Sequence, residues 1–231
     1  MAIFDEGTME TGNGIIIADD HPLFRSALRQ IISAHFPQTP LHEAHDLSSL
    51  QSLMEQQEQA DLILLDLMMP GAEGFSGLVF LLAHYPHIPV MVISAHEEPE
   101  IIRRAIDHGA SGFLPKSSEE TTMKQAIDVV LAGGVWMPEN VANQVVIKEA
   151  EQNVADAISL LTPQQFRVAS MVTQGLLNKQ IAYELDVTEA TVKAHMTEIF
   201  KKLNVHSRIQ VALAFSHLSI SDEASLSGFH S

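Results

Sequence analysis

Asp66 stands directly after a run of four apolar residues at positions 62–65, and Pro70 and Gly71 follow it. Such a run predicts a short strand that is buried on both faces, as in a parallel sheet covered by helices. In these sheets, ligands and chemistry gather outside the carboxyl ends of the strands. An acid at that position costs folding free energy unless something binds it. We therefore predict that Asp66 is a functional residue.

Two further acids follow a second apolar run. Asp19 and Asp20 come directly after residues 14–18. If both runs lie in one parallel sheet, three carboxylates meet at the same edge, and because they repel each other, a cation is the natural reason to bring them together. Oxygen ligands indicate Mg²⁺ or Ca²⁺, and a site with few protein ligands favours Mg²⁺. The alternative is that these acids only cap a helix that begins at Pro22.

A hydroxyl and an amine end two more apolar runs. Ser94 follows residues 89–93, and Lys116 follows residues 111–115. Beside three carboxylates these groups suit a phosphorylated aspartate, because Lys116 would neutralise phosphoryl oxygens and Ser94 would donate a hydrogen bond to one. Alone, Lys116 would be an ordinary surface lysine and Ser94 an ordinary turn residue. Their positions after apolar runs favour the functional interpretation.

The apolar runs alternate with helical patterns. They predict five strand–helix units, and hence an α/β fold with a five-stranded, doubly wound parallel sheet. The first helix is expected from Pro22 to about residue 35, and the second strand near residues 41–44. Ser117, with Glu120 three residues later, predicts that the fifth helix opens at Ser117 with a capping box.

Beyond residue 136 the pattern changes. Residues 137–157 are expected to form a linker that is partly helical, and residues 158–218 a small all-α domain. The predicted caps of its helices are Thr162, Asn178, Thr188 and Ser207. A short helix, a tight turn and a longer helix in this domain are the parts of a helix-turn-helix. Residues 219–231, rich in Ser, Gly, Asp and Glu, are expected to be disordered.

Residues 12–136 resemble the receiver domain of bacterial two-component response regulators, which has a flavodoxin-like fold. The matching residues are Asp19, Asp20, Asp66, Ser94, Phe113 and Lys116. The resemblance implies that Asp66 accepts a phosphoryl group from a sensor histidine kinase. It also implies a Mg²⁺ cofactor held by Asp20, Asp66 and the main-chain carbonyl of Met68, with Asp19 nearby. Ser94 would be the switch hydroxyl, and Phe113 the switch aromatic residue.

The all-α part resembles the LuxR-type DNA-binding domain, through residues 161–163, 178–182 and 191–195 among others. With the receiver, nearly the whole chain is similar to the NarL/FixJ subfamily. The resemblance implies a recognition helix from Thr188 to about residue 203. The residues at the family's groove-facing positions are Lys193, Ala194 and Thr197. The candidates for contacts with DNA phosphates are Lys179, Lys201 and Arg208.

The chain departs from that family at two places. Gln164 and Gln165 stand where the family usually has an Arg-Glu pair, and loss of the acid is expected to loosen a charged contact between helices. Thr197 stands where a longer polar or basic residue is common. Thr can meet a phosphate or a thymine methyl group, but it reaches less far. The DNA sequence that the domain reads is therefore left open.

Composition narrows the classes of function. The chain has 231 residues, no Cys and a formal net charge of −16. The absence of Cys excludes disulfides and thiolate metal sites, and the negative charge by itself argues against nucleic acid. Residues 159–217, however, carry six Lys and Arg against four Asp and Glu. This low basicity predicts weak DNA binding by a monomer and a need for paired domains.

The expected location is cytoplasmic, without a membrane partner. The apolar runs are too short to cross a membrane, and residues 1–13 lack the basic start and apolar core of a signal peptide. We hypothesise a DNA-binding response regulator, not an enzyme, in which phosphorylation of Asp66 drives formation of a homodimer and binding to double-stranded promoter DNA.

Two alternatives stay open. An aspartyl-phosphate hydrolase is disfavoured, because Met68 stands where such enzymes normally have a second Asp. The second alternative is a phospho-switch whose C-terminal helical domain binds a protein partner instead of DNA.

Overall fold

The structure, a computed structural model, describes residues 13–56, 59–72, 74–138, 141 and 147–220. Five parallel strands form one sheet in the order β2-β1-β3-β4-β5. The strands are β1 (Ile15–Ala18), β2 (Leu41–Ala44), β3 (Leu62–Asp66), β4 (Val90–Ser94) and β5 (Gly112–Pro115). Every residue of β1, β3 and β4 is buried, as expected for strands covered on both faces. The predicted α/β fold is confirmed.

Helices cover both faces of this sheet. They are α1 (Pro22–His35), α2 (Leu47–Gln56), α3 (Ser76–His84), α4 (Pro99–Asp107) and α5 (Glu120–Leu131). Because successive strand residues face opposite sides, the sheet divides its side chains between two apolar clusters. One cluster contains residues of α1 and α5. The other contains residues of α2, α3 and α4 and continues into the C-terminal helices.

Five helices follow in the C-terminal part of the described chain. They are α6 (Glu149–Ser159), α7 (Pro163–Thr173), α8 (Asn178–Glu184), α9 (Glu189–Lys202) and α10 (Arg208–Ser216). α6 lies mostly within the segment predicted as a partly helical linker, whose residues 139, 140 and 142–146 lie outside the described residues. Asp186, at φ 50°, makes the tight turn of the helix-turn-helix between α8 and α9. None of the helices described is both long and apolar enough to cross a membrane.

Three of the predicted helix caps are confirmed. The side chains of Thr162, Thr188 and Ser207 each accept a hydrogen bond from the backbone N–H three residues later. These bonds satisfy backbone donors that the first turn of a helix leaves without an intrahelical partner.

Two local predictions about helix starts are wrong. α5 starts at Glu120 after Glu119, without a capping side chain among the described residues, and the Ser117 hydroxyl instead donates to Glu97. Asn178 is the first residue of α8 and not its cap, and its Oδ1 accepts from Arg208 at 3.3 Å. In both cases the side chain that was predicted to cap a helix instead forms a hydrogen bond with a residue outside that helix.

The C-terminal helices pack against α2 and α3. The ring of Phe166 on α7 stacks on that of Phe80 on α3, with centroids 4.4 Å apart and planes inclined by 6°. The Arg167 guanidinium donates to the Ser48 hydroxyl at 2.7 Å. An aromatic pair of this kind contributes about 0.5–1.5 kcal/mol beyond its buried area. The two parts of the chain therefore share one core in this structure.

A buried acid joins α6 to α4. Glu151 is 5% exposed, and its Oε1 lies 2.7 Å from His108 Nε2 and 3.0 Å from Arg104 Nη2. Burial alone would raise the pKa of Glu151, but the hydrogen bonds from His108 and Arg104 hold that pKa below its ordinary value. The folded state therefore favours the ionised carboxylate.

The start of the predicted disordered tail is packed against α3 and α4. Phe75 N–H donates to Leu218 O at 2.8 Å, and Arg104 Nη2 donates to Ser219 O at 3.3 Å. Ile220 is buried. The prediction of disorder is thus wrong for Ser219 and Ile220, because apolar contact outweighs the polar composition. Residues 221–231 lie outside the described residues.

The variant Glu151→Gln is expected to lower the free energy of unfolding by about 1–3 kcal/mol, because a neutral amide leaves the Arg104 charge poorly compensated. Since the pKa of Glu151 is lowered in the folded state, its stabilisation is complete above about pH 4.3 and is lost as the pH falls through the folded pKa. Urea unfolding of both proteins across this range measures the effect. Glu149→Gln, an exposed change on the same helix, is the control; equal stabilities of wild type and Glu151→Gln at neutral pH would contradict the expectation.

Candidate functional site

The carboxyl edge of the sheet gathers three acids. Asp19 and Asp20 follow β1, and Asp66 is the last residue of β3. β1 and β3 are neighbours, with Ala18 paired to Leu65, so the acids meet where the strands end. Asp19 and Asp66 are each 1% exposed. Ligand atoms of Asp19, Asp20, Asp66 and His21 all lie within 4.8 Å of one another.

Lys116 places its ammonium group between two of these carboxylates. It follows β5, and its Nζ lies 2.9 Å from Asp66 Oδ2 and 2.7 Å from Asp19 Oδ2. The backbone N–H of Lys116 donates to Ser94 O at 2.8 Å. The amine that the sequence places after the fifth strand is therefore in direct contact with the candidate phosphoacceptor.

Ser94 and Phe113 are both fully buried, on the two strands that follow β3 in the sheet order. Ser94 ends β4, whose Ile93 pairs with Asp66, and its Oγ accepts from His96 N–H at 3.1 Å. Phe113 lies on β5, on the far side of β4 from β3, and pairs with Val92 of β4. The structure thus places the hydroxyl on the strand next to Asp66 and the aromatic residue one strand further out.

Met68 lies two residues beyond Asp66, in the loop that leads to α3. Its backbone N–H donates to Asp66 Oδ1 at 3.2 Å, and its side chain is about half exposed. Gly71, at φ 83°, turns this loop in a conformation that residues with a Cβ rarely adopt. The loop therefore holds the backbone of Met68 close to the Asp66 carboxylate.

Burial raises the pKa of Asp66 above its ordinary value. The hydrogen bond and positive charge of Lys116 oppose this shift, and the negative charge of Asp19 adds to it. Asp20 Oδ1 is buried and accepts no hydrogen bond from the residues that the structure describes. A divalent cation would supply the missing positive charge, and these carboxylate oxygens are the ligands that Mg²⁺ prefers. The residues present fit a magnesium site.

His21 is the member of this cluster that the sequence did not reveal. It directly follows Asp19 and Asp20, and its backbone N–H donates to Asp19 Oδ1 at 2.7 Å. The only signal in the sequence was this adjacency, because a His at the start of a helix is ordinarily a surface residue.

The candidate DNA-binding face lies on α9. Lys193, Ala194 and Thr197 are all exposed, and the spacing of three to four residues places them on one side of the helix. The Thr197 hydroxyl donates to Lys193 O at 3.0 Å. The predicted phosphate contacts Lys179 and Lys201 are also exposed, on α8 and at the end of α9.

Arg208 is partly buried, whereas Lys179 and Lys201 are exposed. Its guanidinium donates to Leu176 O and to Asn178 Oδ1, and burial lowers its pKa. These bonds tie the start of α10 to the connection before α8.

Gln165 retains a contact between α7 and α9. Its buried Oε1 accepts from Lys202 Nζ at 2.6 Å and from Thr162 N–H at 3.1 Å. The connection between these helices therefore persists, although its acceptor is a neutral amide.

Residues 15–128 match the family model for the response regulator receiver domain, and residues 159–215 match that for bacterial regulatory proteins of the luxR family. The chain is 43% identical over 206 residues to the glycerol metabolism activator of Pseudomonas putida, which covers 87% of this chain and 93% of that protein. The chain is a response regulator of the NarL/FixJ family. The nitrate/nitrite response regulator protein NarL of Escherichia coli (strain K12) is 33% identical over 204 residues, with 86% of this chain and 93% of NarL covered.

A structure of the Salmonella typhimurium RcsB response regulator has the same fold. It superimposes with a TM-score of 0.53 at 21% identity, and the alignment covers 89% of this chain and 98% of that chain. The two family matches show that this response regulator joins a receiver domain to a LuxR-type helix-turn-helix domain, the organisation of a DNA-binding transcription regulator. A protein-binding role for the helical domain is not favoured by these matches.

The variant Asp66→Asn is expected to be more stable than wild type at neutral pH in EDTA, by about 0.5–2 kcal/mol. Because the pKa of Asp66 is raised by folding, its ionisation destabilises the folded state, and this penalty is complete above the folded pKa. Urea unfolding measures the difference.

Asp46→Asn is a control variant, for which we expect a change of opposite sign in the free energy of unfolding. Burial would raise the pKa of Asp46, but hydrogen bonds from Ser49 hold it below the ordinary value, so the loss of this charge is expected to cost up to about 1 kcal/mol. If both variants were destabilised, repulsion at the acidic cluster would not be the dominant effect.

Proposed function

We propose that phosphorylation of Asp66 by a sensor histidine kinase switches DNA binding by this response regulator. The observation that carries the proposal is the contact of Asp66 with Lys116 beside two further carboxylates. An Asp66 carboxylate oxygen attacks the phosphorus atom of a phosphohistidine; the new P–O bond forms, the P–N bond breaks, and the released imidazole takes up a proton. Asp20, Asp66 and the main-chain carbonyl of Met68 would hold Mg²⁺, which neutralises phosphoryl oxygens when it is bound.

The added phosphoryl group changes the hydrogen bonding around Asp66. It brings roughly −1.5 to −2 charges to a site whose ammonium group is already shared between Asp66 and Asp19. Lys116 and the Ser94 hydroxyl are drawn to the phosphoryl oxygens. The hydroxyl proton is available for this, because Ser94 Oγ acts as the acceptor toward His96 N–H. Phe113 then moves into the space that Ser94 leaves.

The movement of Ser94 and Phe113 is transmitted to the helical domain through α4. The loop from Ser94 leads into α4, and the same helix carries Arg104, which holds Glu151 of α6 at 3.0 Å. Movement of α4 therefore weakens one of the contacts that hold the helical domain against the receiver. The released protein forms a homodimer in the cytoplasm, and its paired domains bind a promoter with two half-sites.

On the DNA, α9 lies in the major groove. Lys193, Ala194 and Thr197 contact base edges and adjacent backbone, and Lys179 and Lys201 contact phosphates. Arg208 is proposed as a further phosphate contact that also fixes the start of α10 through Leu176.

Phosphodonor treatment is expected to raise the affinity of wild type for promoter fragments about tenfold, within the usual range of coupling between two sites. A gel shift at low salt, with Mg²⁺ and a small acyl-phosphate donor, measures this. Asp66→Asn is expected to show no increase, whereas Asp128→Asn, an acid on α5 that pairs with Lys124, should respond like wild type. The switch would be refuted if Asp66→Asn bound DNA as tightly as phosphorylated wild type.

Removal of a phosphate contact is expected to change the salt dependence of DNA binding. Lys201→Ala should reduce the slope of log affinity against log salt by about 1 on all sequences, whereas Lys193→Ala should also relax sequence preference. Lys124→Ala, on α5 of the receiver, is the control and should change neither property. If wild type showed no salt-dependent binding to any promoter fragment, the helical domain would instead be assigned a protein partner.

A further inference from the structure

The chain continues past α10 onto the receiver domain. Residues 217–220, the C-terminal strap, directly follow that helix. A hydrogen bond from Leu218 N–H to Phe215 O, at 3.0 Å, joins the strap to α10. Leu218 and Ile220 are buried in the apolar cluster that also contains residues of α3 and α4. The strap therefore belongs to the helical domain by covalent connection and to the core beneath the receiver sheet by packing.

Gly74 and Phe75, directly before α3, form the surface on which the strap lies. Phe75 N–H donates to Leu218 O at 2.8 Å. A Cβ at Gly74 would collide with that same carbonyl oxygen. The φ of Gly74, 65°, is also one that residues with a Cβ rarely adopt. The close approach of the strap therefore depends on the absence of a side chain at residue 74.

Arg104 on α4 holds the strap from the other side. Its Nη2 donates to His217 O at 3.2 Å and to Ser219 O at 3.3 Å. The same guanidinium lies 4.7 Å from the centroid of the Phe75 ring, in a cation–π contact. The strap is therefore held between the residues before α3 and the middle of α4, mostly through its backbone carbonyls.

Both loops that flank Asp66 lie beside the strap. The strap lines one cavity together with Met68, in the loop after β3, and His96, in the loop after β4. The backbone N–H groups of these two residues donate to Asp66 Oδ1 and to Ser94 Oγ. In the proposed switch a phosphoryl group disturbs both bonds, because it occupies a carboxylate oxygen of Asp66 and draws the Ser94 hydroxyl toward itself. The surface beneath the strap therefore changes with phosphorylation.

We propose that the C-terminal strap is a latch that holds the helical domain on the receiver until Asp66 is phosphorylated. The inference rests on the proposed function and assigns to residues 217–220 a contact that the switch releases. The latch leaves Lys193, Ala194 and Thr197 of α9 exposed, so it acts by restraining the position of the helical domain and not by covering its DNA-binding face. By linkage, a latch that a phosphoryl group weakens must weaken binding of a phosphoryl mimic by the same factor.

Linkage allows the latch to be tested without DNA. The probe is beryllofluoride with Mg²⁺, a mimic of the phosphoryl group, titrated calorimetrically into the full-length protein and into two truncations. One truncation ends at His217 and lacks the rest of the strap; its matched control ends at Ile220 and lacks only residues outside the described part of the chain. Both retain all of α10. The shorter protein is expected to bind beryllofluoride about fivefold more tightly than the control, which should match the full-length protein.

A pair of glycine variants tests the latch in the full-length chain. Gly74→Ala is expected to displace the strap, because the added Cβ collides with Leu218 O, and to raise the affinity for beryllofluoride about fivefold. Gly133→Ala is the control. Gly133 also has a positive φ, 82°, but a Cβ there would meet no atom of the described residues within 4 Å, so this variant should bind beryllofluoride like wild type.

Amide hydrogen exchange of Phe75, followed by nuclear magnetic resonance in the full-length wild type, reports on the strap directly. That amide donates to Leu218 O, and saturating beryllofluoride is expected to speed its exchange about tenfold as the strap opens. If the exchange rate stayed the same while beryllofluoride bound, or if the two truncations bound it equally, the latch would be wrong, while the phosphorylation site itself stood. If the full-length protein bound no beryllofluoride, the proposed phosphorylation would fail together with the latch. The wild-type exchange rate decides the matter even if a variant does not fold.

Discussion

Repulsion among Asp19, Asp20 and Asp66 is the constraint on which the receiver domain depends. Parallel strands end at one edge, so carboxylates that follow β1 and β3 are forced together. The fold tolerates this because the strands beneath are buried on both faces and cannot shift without exposing apolar side chains. Lys116 offsets part of the repulsion, and the repulsion that remains would favour the binding of a cation.

α4 is one of the helices that connect this site to the C-terminal helices. α4 begins beyond the loop that leaves Ser94, and on it Arg104 binds Glu151 of α6 as well as Ser219 O. Glu151 is buried, and the two side chains that contact it, Arg104 and His108, lie on α4 and directly after it. A displacement at Ser94 therefore has a short route to the helical domain, through packed and charged groups that are seen in the structure.

Most of the helices and strands were predictable from the sequence, and the two wrong predictions of helix starts have the same cause. Apolar runs of four or five residues located β1, β3, β4 and β5, and Thr162, Thr188 and Ser207 located helix starts, because both signals are local. β2 contains no such run. The capping signals at Ser117 and Asn178 are equally local, but in the structure these side chains form hydrogen bonds with Glu97 and Arg208 instead. Capping is worth about 1 kcal/mol, so a single tertiary hydrogen bond can override it.

By itself the sequence determined the order of strands and helices and the acids, hydroxyl and amine that follow the strands. These features depend on residues close together in the chain. The residues that follow the strands are then expected at one site, because the carboxyl ends of parallel strands lie at the same edge of a sheet. Tertiary structure alone decided the hydrogen bond from Arg208 to Asn178, the burial of Glu151 and the packing of Ile220. Each depends on groups tens of residues away, such as the 47 residues between Arg104 and Glu151. No local pattern encodes such distances, because they exist only after the core has closed.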